Sequence, residues 1–399
     1  MRYGLWFLPL SIILLLFSCG GDNSSSNDPE SILEQPVWLW AFDDDSSTVT
    51  VYNGESGDSA AHFAAEAFGK MHLMVAGPTE EPTLWMGKSG NIYAFTTGFY
   101  NHGDHADMET PESYASLTLG TSTVHLGQSP SGDTVAFADD NAQSIYIVDV
   151  ATKTLLQTIT HGSGHSAALI AEGYAVTTAA TASGDDWAKI VDIATDSVLD
   201  SLTIGTGAHG DAYYSDGKKA FIACAGAFYV IDLASRAVVD SIPYTETGRT
   251  NFVYHGRDNV YAVGLHKPAS DSTSDMFLLL DMENDSLDYV SIEGAALNWH
   301  IGQGQFALSG SGDVALFSDV LQQKIYQVVL ATQSVTTLTA PGIGCAIATN
   351  YDGSKVWALS NGVVSQIDVA TDSVEGTLDV PTGTDWIYAS SIGVDVEEE

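Results

Sequence analysis

The chain has 399 residues, 45% of them hydrophobic, with 51 acidic against 13 basic side chains and a formal net charge of −38. This hydrophobic content supports a large packed core and excludes a disordered chain. The scarcity of Lys and Arg excludes nucleic-acid binding, which requires phosphate neutralisation, and leaves two readings of the acidity: solubility, or a surface that concentrates cations.

In chain order, Arg2 precedes an apolar run from Leu5 to Phe17. A charged start and a short apolar core read as an export signal, too short to span a membrane. The run ends in Leu16-Phe17-Ser18-Cys19-Gly20, which resembles a bacterial lipobox. Residues 1–18 are then the signal, and Cys19 is the lipidated residue that anchors the protein to the bacterial membrane in the periplasm. Gly20 in place of Asp favours the outer membrane. Residues 19–36 form a polar tether.

VWLWAF from Val37 and TVTVYNG from Thr48 alternate as two strands around an Asp-Asp-Asp-Ser-Ser turn, and HFAAEAF from His62 reads as a third. From there the chain repeats. KIVDIATDSVLDSLTI from Lys189 is a strand, a turn and a second strand. Its copies are YIVDVATKTLLQTI from Tyr146, YVIDLASRAVVDSI from Tyr229, LLLDMENDSLDYVSI from Leu278, YQVVLATQSVTTLT from Tyr326 and SQIDVATDSVEGTL from Ser365. The marker aspartates Asp149, Asp192, Asp232, Asp281 and Asp368 are spaced by 43, 40, 49 and 87 residues. The last gap holds two repeats, with Leu330 assigned the missing place. Strand-rich units of about 40–50 residues indicate radial repetition, as in a propeller.

Inner strands are expected to begin near His72, His125, His165, His209, Arg249, Gln305, Cys345 and Asp385, at spacings of 53, 40, 44, 40, 56, 40 and 40. The prediction is an all-β fold: one β-propeller over residues 37–394, eight-bladed, or seven-bladed if the first unit is degenerate. The first unit lacks an inner strand, and DWIYASSIGV from Asp385 is an orphan strand able to supply it. That closes the ring and removes open sheet edges. Insertions fall at Gly98 to Ser113 and His266 to Asp275, and residues 395–399 are an acidic tail.

Of the eleven histidines, His72, His125, His165 and His209 share one repeat position at inner-strand starts. Repetition turns sequence distance into lateral neighbourhood around the axis, so imidazoles from adjacent blades gain access to one ion. The first insertion adds Asn101-His102-Gly103-Asp104-His105-Ala106-Asp107, two imidazoles and two carboxylates in a run where Gly103 permits a bend. Imidazole and carboxylate without a thiolate pair suit Zn²⁺ and do not exclude Cu²⁺ or Ni²⁺. Asp104 or Asp107 is alternatively an orienting partner of an imidazole. His161, His255, His266 and His300 lie off the shared position and default to surface or loop roles. Cys224 and Cys345 either pair or stay buried thiols.

The run HGDHAD at His102, His125, THGSGH ending at His165, and GAHGDAYYSDGKKAFIACAGAFYVID from Gly207 together resemble the AztD-type periplasmic zinc metallochaperones. The resemblance implies a β-propeller that holds Zn(II) and passes it to the periplasmic zinc-binding protein of an ABC importer. It implies zinc ligands among His102, Asp104, His105, His125, His165 and His209. Two features depart from the family: residues 20–36 contain no histidine, and of the family's cysteines near this run only Cys224 is present.

No G-x-S-x-G, H-E-x-x-H or Walker motif occurs. The tryptophans at 38, 40, 85, 187, 299, 357 and 386 read as inter-blade packing rather than a cofactor cage. The resulting expectation is a monomeric, non-catalytic zinc carrier with no nucleic-acid partner. The alternatives are a metal-free propeller scaffold for protein–protein interaction and a metal-dependent propeller hydrolase or lactonase. An enzyme differs from a carrier by an open coordination position and a substrate pocket.

Overall fold

The computed structural model describes residues 37–65, 74–76, 82–88, 90–101, 106–121, 123–139, 141–161, 169–171, 173–179, 186–214, 216–245, 248–255, 260–268, 273–298 and 304–392. The signal at 1–18, Cys19, the tether at 19–36 and the tail at 395–399 lie outside them.

Eight four-stranded antiparallel sheets follow one another around a ring, an eight-bladed β-propeller rather than a seven-bladed one. Among the described residues every regular element is a strand. Blade 1 is built from both ends of the propeller: Val37–Asp43, Thr48–Asn53 and Ser59–Ala64 are completed on the inside by Thr384–Ser391. The closing strand pairs Trp40 with Tyr388 and Phe42 with Trp386. The Trp40 indole N–H donates to Ser390 Oγ at 2.9 Å. The third strand starts at Ser59, three residues before His62, because the Asn53–Asp58 turn closes early, with Gly57 N on Asn53 O at 2.9 Å. Ser59, Ala60 and Ala61 sit on an outer strand half in solvent, where no apolar pattern marks them.

The inner strands of blades 2 to 8 are Met74–Ala76, Thr123–Gln128, Leu169–Ala171, Asp211–Tyr213, Gly248–His255, Phe306–Leu308 and Ala346–Thr349. The expected starting points lie within four residues of these. The inner strands of blades 3 and 4, and of 4 and 5, lie side by side.

The core is a set of layers between blades. Ile190 and Val176 of blade 4 pack on Ala220 and Ile222 of blade 5, and Trp85 of blade 2 meets Phe137 of blade 3 at 6.0 Å between rings. Phe277 and Phe317 stack at 4.2 Å across blades 6 and 7. Trp38, Trp40, Trp85, Trp357 and Trp386 are buried in this packing, as expected; Trp187 is 43% exposed instead. Outer strands pack on one face only, which leaves Leu156, Val239 and Val374 in solvent.

The repeated aspartate makes the turn before each outer strand. Asp149 Oδ1 accepts from Thr152 N and Oγ1 at 2.6 and 2.7 Å, and Asp192, Asp232 and Asp368 repeat the pair with Thr195, Ser235 and Thr371. Four residues after each aspartate the backbone turns left-handed, at Lys153, Asp196, Arg236 and Asp372. Gln333 is left-handed too, and Val314 pairs with Val329 as Thr134 pairs with Asp149. The missing aspartate's place therefore belongs to Val329; Leu330 is the residue after it.

Candidate metal centre

The ladders fix the height of two candidate ligands. In blade 3, Thr134 pairs with the turn aspartate Asp149, and His125 stands opposite Ala138, four residues after Thr134. In blade 5, Lys219 pairs with Asp232, and His209 N donates at 2.9 Å to the carbonyl of Ala223, again four residues on. Asp211 pairs with Ile222, so the register partner of Ala223 is Gly210, and His209 shares that place through a bulge, one residue ahead of the position that His125 holds. Both histidines stand at the end where inner strands begin. One blade separates them. Its inner strand, Leu169–Ala171, starts four residues after His165, which lies outside the described residues, as does His72. The same position holds Gln305 in blade 7, whose carbonyl accepts Ser318 N at 2.9 Å, and Trp386 in blade 1, opposite Phe42.

His209 is half-buried and comes at the end of a tightly held link. Asp186, fully buried, takes Ala208 N on Oδ2 at 2.7 Å and Ile204 N on its carbonyl at 3.0 Å. Thr206 O accepts Ala225 N at 2.7 Å. Gly205 is required: a Cβ there would come within 2.8 Å of the Tyr229 ring.

The second set of candidates is rooted elsewhere. In the first insertion Phe99–Asn101 pairs with Ala106–Met108, so residues 102–105 join the two arms of a hairpin. His102, Asp104 and His105 themselves lie outside the described residues. The hairpin's base is fixed. Gly98 O accepts Glu109 N at 2.7 Å, Thr97 N reaches Pro82 O at 3.2 Å, and Thr96 pairs with Thr83, itself paired with Ala76. Ala76 is the last residue of its inner strand. The hairpin therefore leaves the sheet where inner strands finish, and His125 and His209 stand where they start. A six-residue inner strand separates those ends by about 20 Å. Among the described residues no group of three or more His, Cys, Asp or Glu side chains is gathered into a metal-holding cluster.

The remaining histidines differ in role. His161 Nε2 lies 3.0 Å from Asp196 O, tying blade 3 to blade 4, and His62 Nδ1 is 3.0 Å from Thr50 Oγ1. His266 departs from the surface role expected of it. The strand Tyr261–Pro268 runs through the start of the expected insertion, and His266, 2% exposed, stands edge-on to Tyr244 and Tyr289 at 5.9 and 5.8 Å. It pairs with Thr250 across the ladder, so strand continuation buries it.

Both cysteines are free and buried. Burial, with the Asp186 charge adding to it, pushes the Cys224 thiol up to about 12. It stays protonated at neutral pH, which disfavours it as a thiolate ligand. Burial also raises Cys345, whose Sγ is 3.5 Å from Ser318 Oγ.

The fold is similar to that of AztD from Citrobacter koseri. One AztD structure superposes with a TM-score of 0.72 at 19% identity, covering 91% of this chain and 100% of that one; apo AztD gives 0.71 at 19%, covering 90% and 98%. The dihydro-heme d1 dehydrogenase NirN, in complex with DHE, is similar at a TM-score of 0.59 and 13% identity, over 86% of this chain and 73% of that one. At these identities the likeness is one of fold. The sequence matches no protein-family model and no curated protein.

Sequence reasoning missed the buried carboxylates Asp139, Asp186 and Asp319, each a partner of a link backbone. The aspartate five residues into the second-strand repeat, after Phe137-Ala138 and Phe317-Ser318, was the available signal for two of them.

Proposed function

We propose that this protein is an exported, Cys19-anchored, non-catalytic Zn²⁺ carrier. It holds the ion at inner-strand histidines His125, His165 and His209 and hands it to the zinc-binding protein of an ABC importer. The observation that carries the reading is that His125 and His209 stand within one residue of a common register position. Two repeats bring a histidine to the same end of the ring, where the inner strands of blades 7 and 1 carry Gln305 and Trp386. The resemblance of the HGDHAD, THGSGH and GAHGD runs to AztD-type metallochaperones supplies the metal and the partner class. The overall negative charge favours cation capture. His102, Asp104 and His105, on a hairpin rooted at the opposite end, form a second ligand set in this reading, not part of the first.

Zinc titration of untagged protein tests it. The wild type is expected to bind Zn²⁺ tightly, and His125→Ala, His165→Ala or His209→Ala each to weaken the ring site severely. His102→Ala/His105→Ala is expected to remove only a separate binding phase. Ligating imidazole must be neutral, so affinity falls as pH drops through about 6.5. A wild type that takes up no zinc overturns the reading.

A further inference from the structure

We propose that Asp139 and Asp186 are positioning residues for the histidine ring. Each buried carboxylate holds the backbone of the link that brings one histidine, His125 or His209, to the start of its inner strand. The proposal rests on the zinc reading above.

Asp186 spans its link. Its backbone carbonyl accepts Ile204 N at one end, and its carboxylate accepts Ala208 N, the amide immediately before His209, at the other. On the far side Ala223 fixes both His209 N, at 2.9 Å, and Gly210 O, at 2.8 Å. Asp139, 1% exposed, does the same work in blade 3. Its Oδ2 accepts Thr121 N, four residues before His125, and its Oδ1 accepts Ala142 N at 2.7 Å. A Cβ on Gly120 would run into Asp139 Oδ2 and the Tyr146 ring, so the link is threaded against the carboxylate. Amide bonds to a buried carboxylate are charge-assisted and short, and suit a job of fixing position.

The two clasps have different origins. Asp43, Asp139 and Asp319 hold the fifth position after the first paired residue of their second strands, at Trp38, Thr134 and Val314. Blade 5 has Cys224 at that place, counting from Lys219, and its carboxylate comes from blade 4 as Asp186. The clasp persists where the local residue has changed. Asp319, also fully buried, takes Ala296 N at 2.9 Å and Leu321 and Gln322 N at 2.8 Å, in a blade that presents Gln305 rather than histidine. Blade 7 therefore supplies the control: the same clasp with no ligand to position.

The experiment measures Zn²⁺ affinity, by competition with a chromophoric chelator, and melting temperature for Asp139→Ala, Asp186→Ala and Asp319→Ala in the full chain. Outer partners of ligating histidines typically contribute tenfold or more to metal affinity, so Asp139→Ala and Asp186→Ala are each expected to weaken zinc by about tenfold or more. Asp319→Ala is expected to lower the melting temperature while leaving affinity unchanged. Retained affinity in both ring variants overturns the proposal, as does an equal loss in Asp319→Ala. If the alanine variants fail to fold, Asp139→Asn and Asp186→Asn decide. Faster amide exchange at Thr121 and Ala208 with weaker zinc binding supports the proposal; faster exchange with unchanged binding, or no change in exchange, overturns it. A wild type that binds no Zn²⁺ sinks the zinc reading and this role with it, whereas wild-type binding that survives both substitutions sinks the positioning role alone.

Discussion

Blades 3 and 5 differ from blades 7 and 8 in what they present, not in how they are built. All four pair the first residue of the second strand with the last residue of the third, and all four turn left-handed four residues later. In blades 3 and 7 a buried aspartate grips the incoming link. Yet the start of the inner strand carries His125, or His209 one residue ahead of that place, on one side of the ring, and Gln305 and Ala346 with its neighbour Cys345 on the other. Repetition supplies one mould eight times; what differs is the residue at the inner-strand start. Ways to break that comparison separate the mould from what it presents.

The largest effect is expected from opening the ring. Thr384–Ser391 contributes buried Trp386, Ile387 and Ala389 and covers the edge of Val37–Asp43. Deleting residues 385–399 uncovers that edge and removes a core strand. Both halves are expected to lose the cooperative melting transition, and zinc binding with it, although no candidate ligand is deleted. Retention of the full calorimetric transition would show that closure is not what holds the ring.

A core cavity on the regular side comes next. Phe317, 1% exposed, stacks on Phe277 and leans on Phe306 at 5.0 Å. Phe317→Ala is expected to cost about 3–5 kcal/mol in denaturant unfolding. Zinc affinity measured well below the melting temperature should be unchanged, because the described residues of this layer belong to blades 6 and 7. Lost affinity would mean that the two sides of the ring are coupled.

The ring positions themselves sharpen the comparison. His209→Ala is expected to reduce zinc affinity strongly with little loss of stability. Gln305→Ala is expected to do the reverse. Its side chain donates to Gly344 O at 3.0 Å and accepts from Asn298 at 3.3 Å, worth about 1 kcal/mol together with no effect on zinc. Matched losses of affinity in both variants would remove the distinction.

How much of this was legible follows from where repetition acts. The eight inner strands, the orphan closing strand and the placing of His125 and His209 at inner-strand starts were readable because each blade repeats the same alternation and turn aspartate; the bulge that sets His209 one residue ahead was not. The outer strand at Ser59 was not, since solvent on one face removes the apolar pattern. His266 was misjudged because a polar residue next to an insertion gives no sign that its strand continues past it. The single metal site expected from His102 to His209 joined two ligand sets by composition. Strand alternation already puts the insertion after a third strand and the histidines after a fourth, and the ladder roots the two at opposite ends. Asp186 escaped notice because it acts on the next blade, at no shared repeat position.

The smallest effect is expected at the turn aspartates, and it is conditioned by pH. Hydrogen bonds from Thr152, Ser235 and Thr371 hold the carboxyls of Asp149, Asp232 and Asp368 below their ordinary value of 3.8. A carboxylate with a lowered folded-state value contributes stability that is present above the unfolded value and lost as pH falls through the folded one. The groups are half-exposed, so solvent screens them and each contribution is small. Asp149→Asn, Asp232→Asn and Asp368→Asn combined should therefore lower the melting temperature slightly at pH 7. The gap to wild type should begin to narrow below about 4 and close only as pH falls through the lowered folded-state values, where the wild-type carboxylates are protonated too. These turns lie in blades 3, 5 and 8, on both sides of the ring, so the effect belongs to the mould and zinc affinity at pH 7 should not move. A gap that persists at low pH would assign the stabilisation to the shape of the turn rather than to the charge.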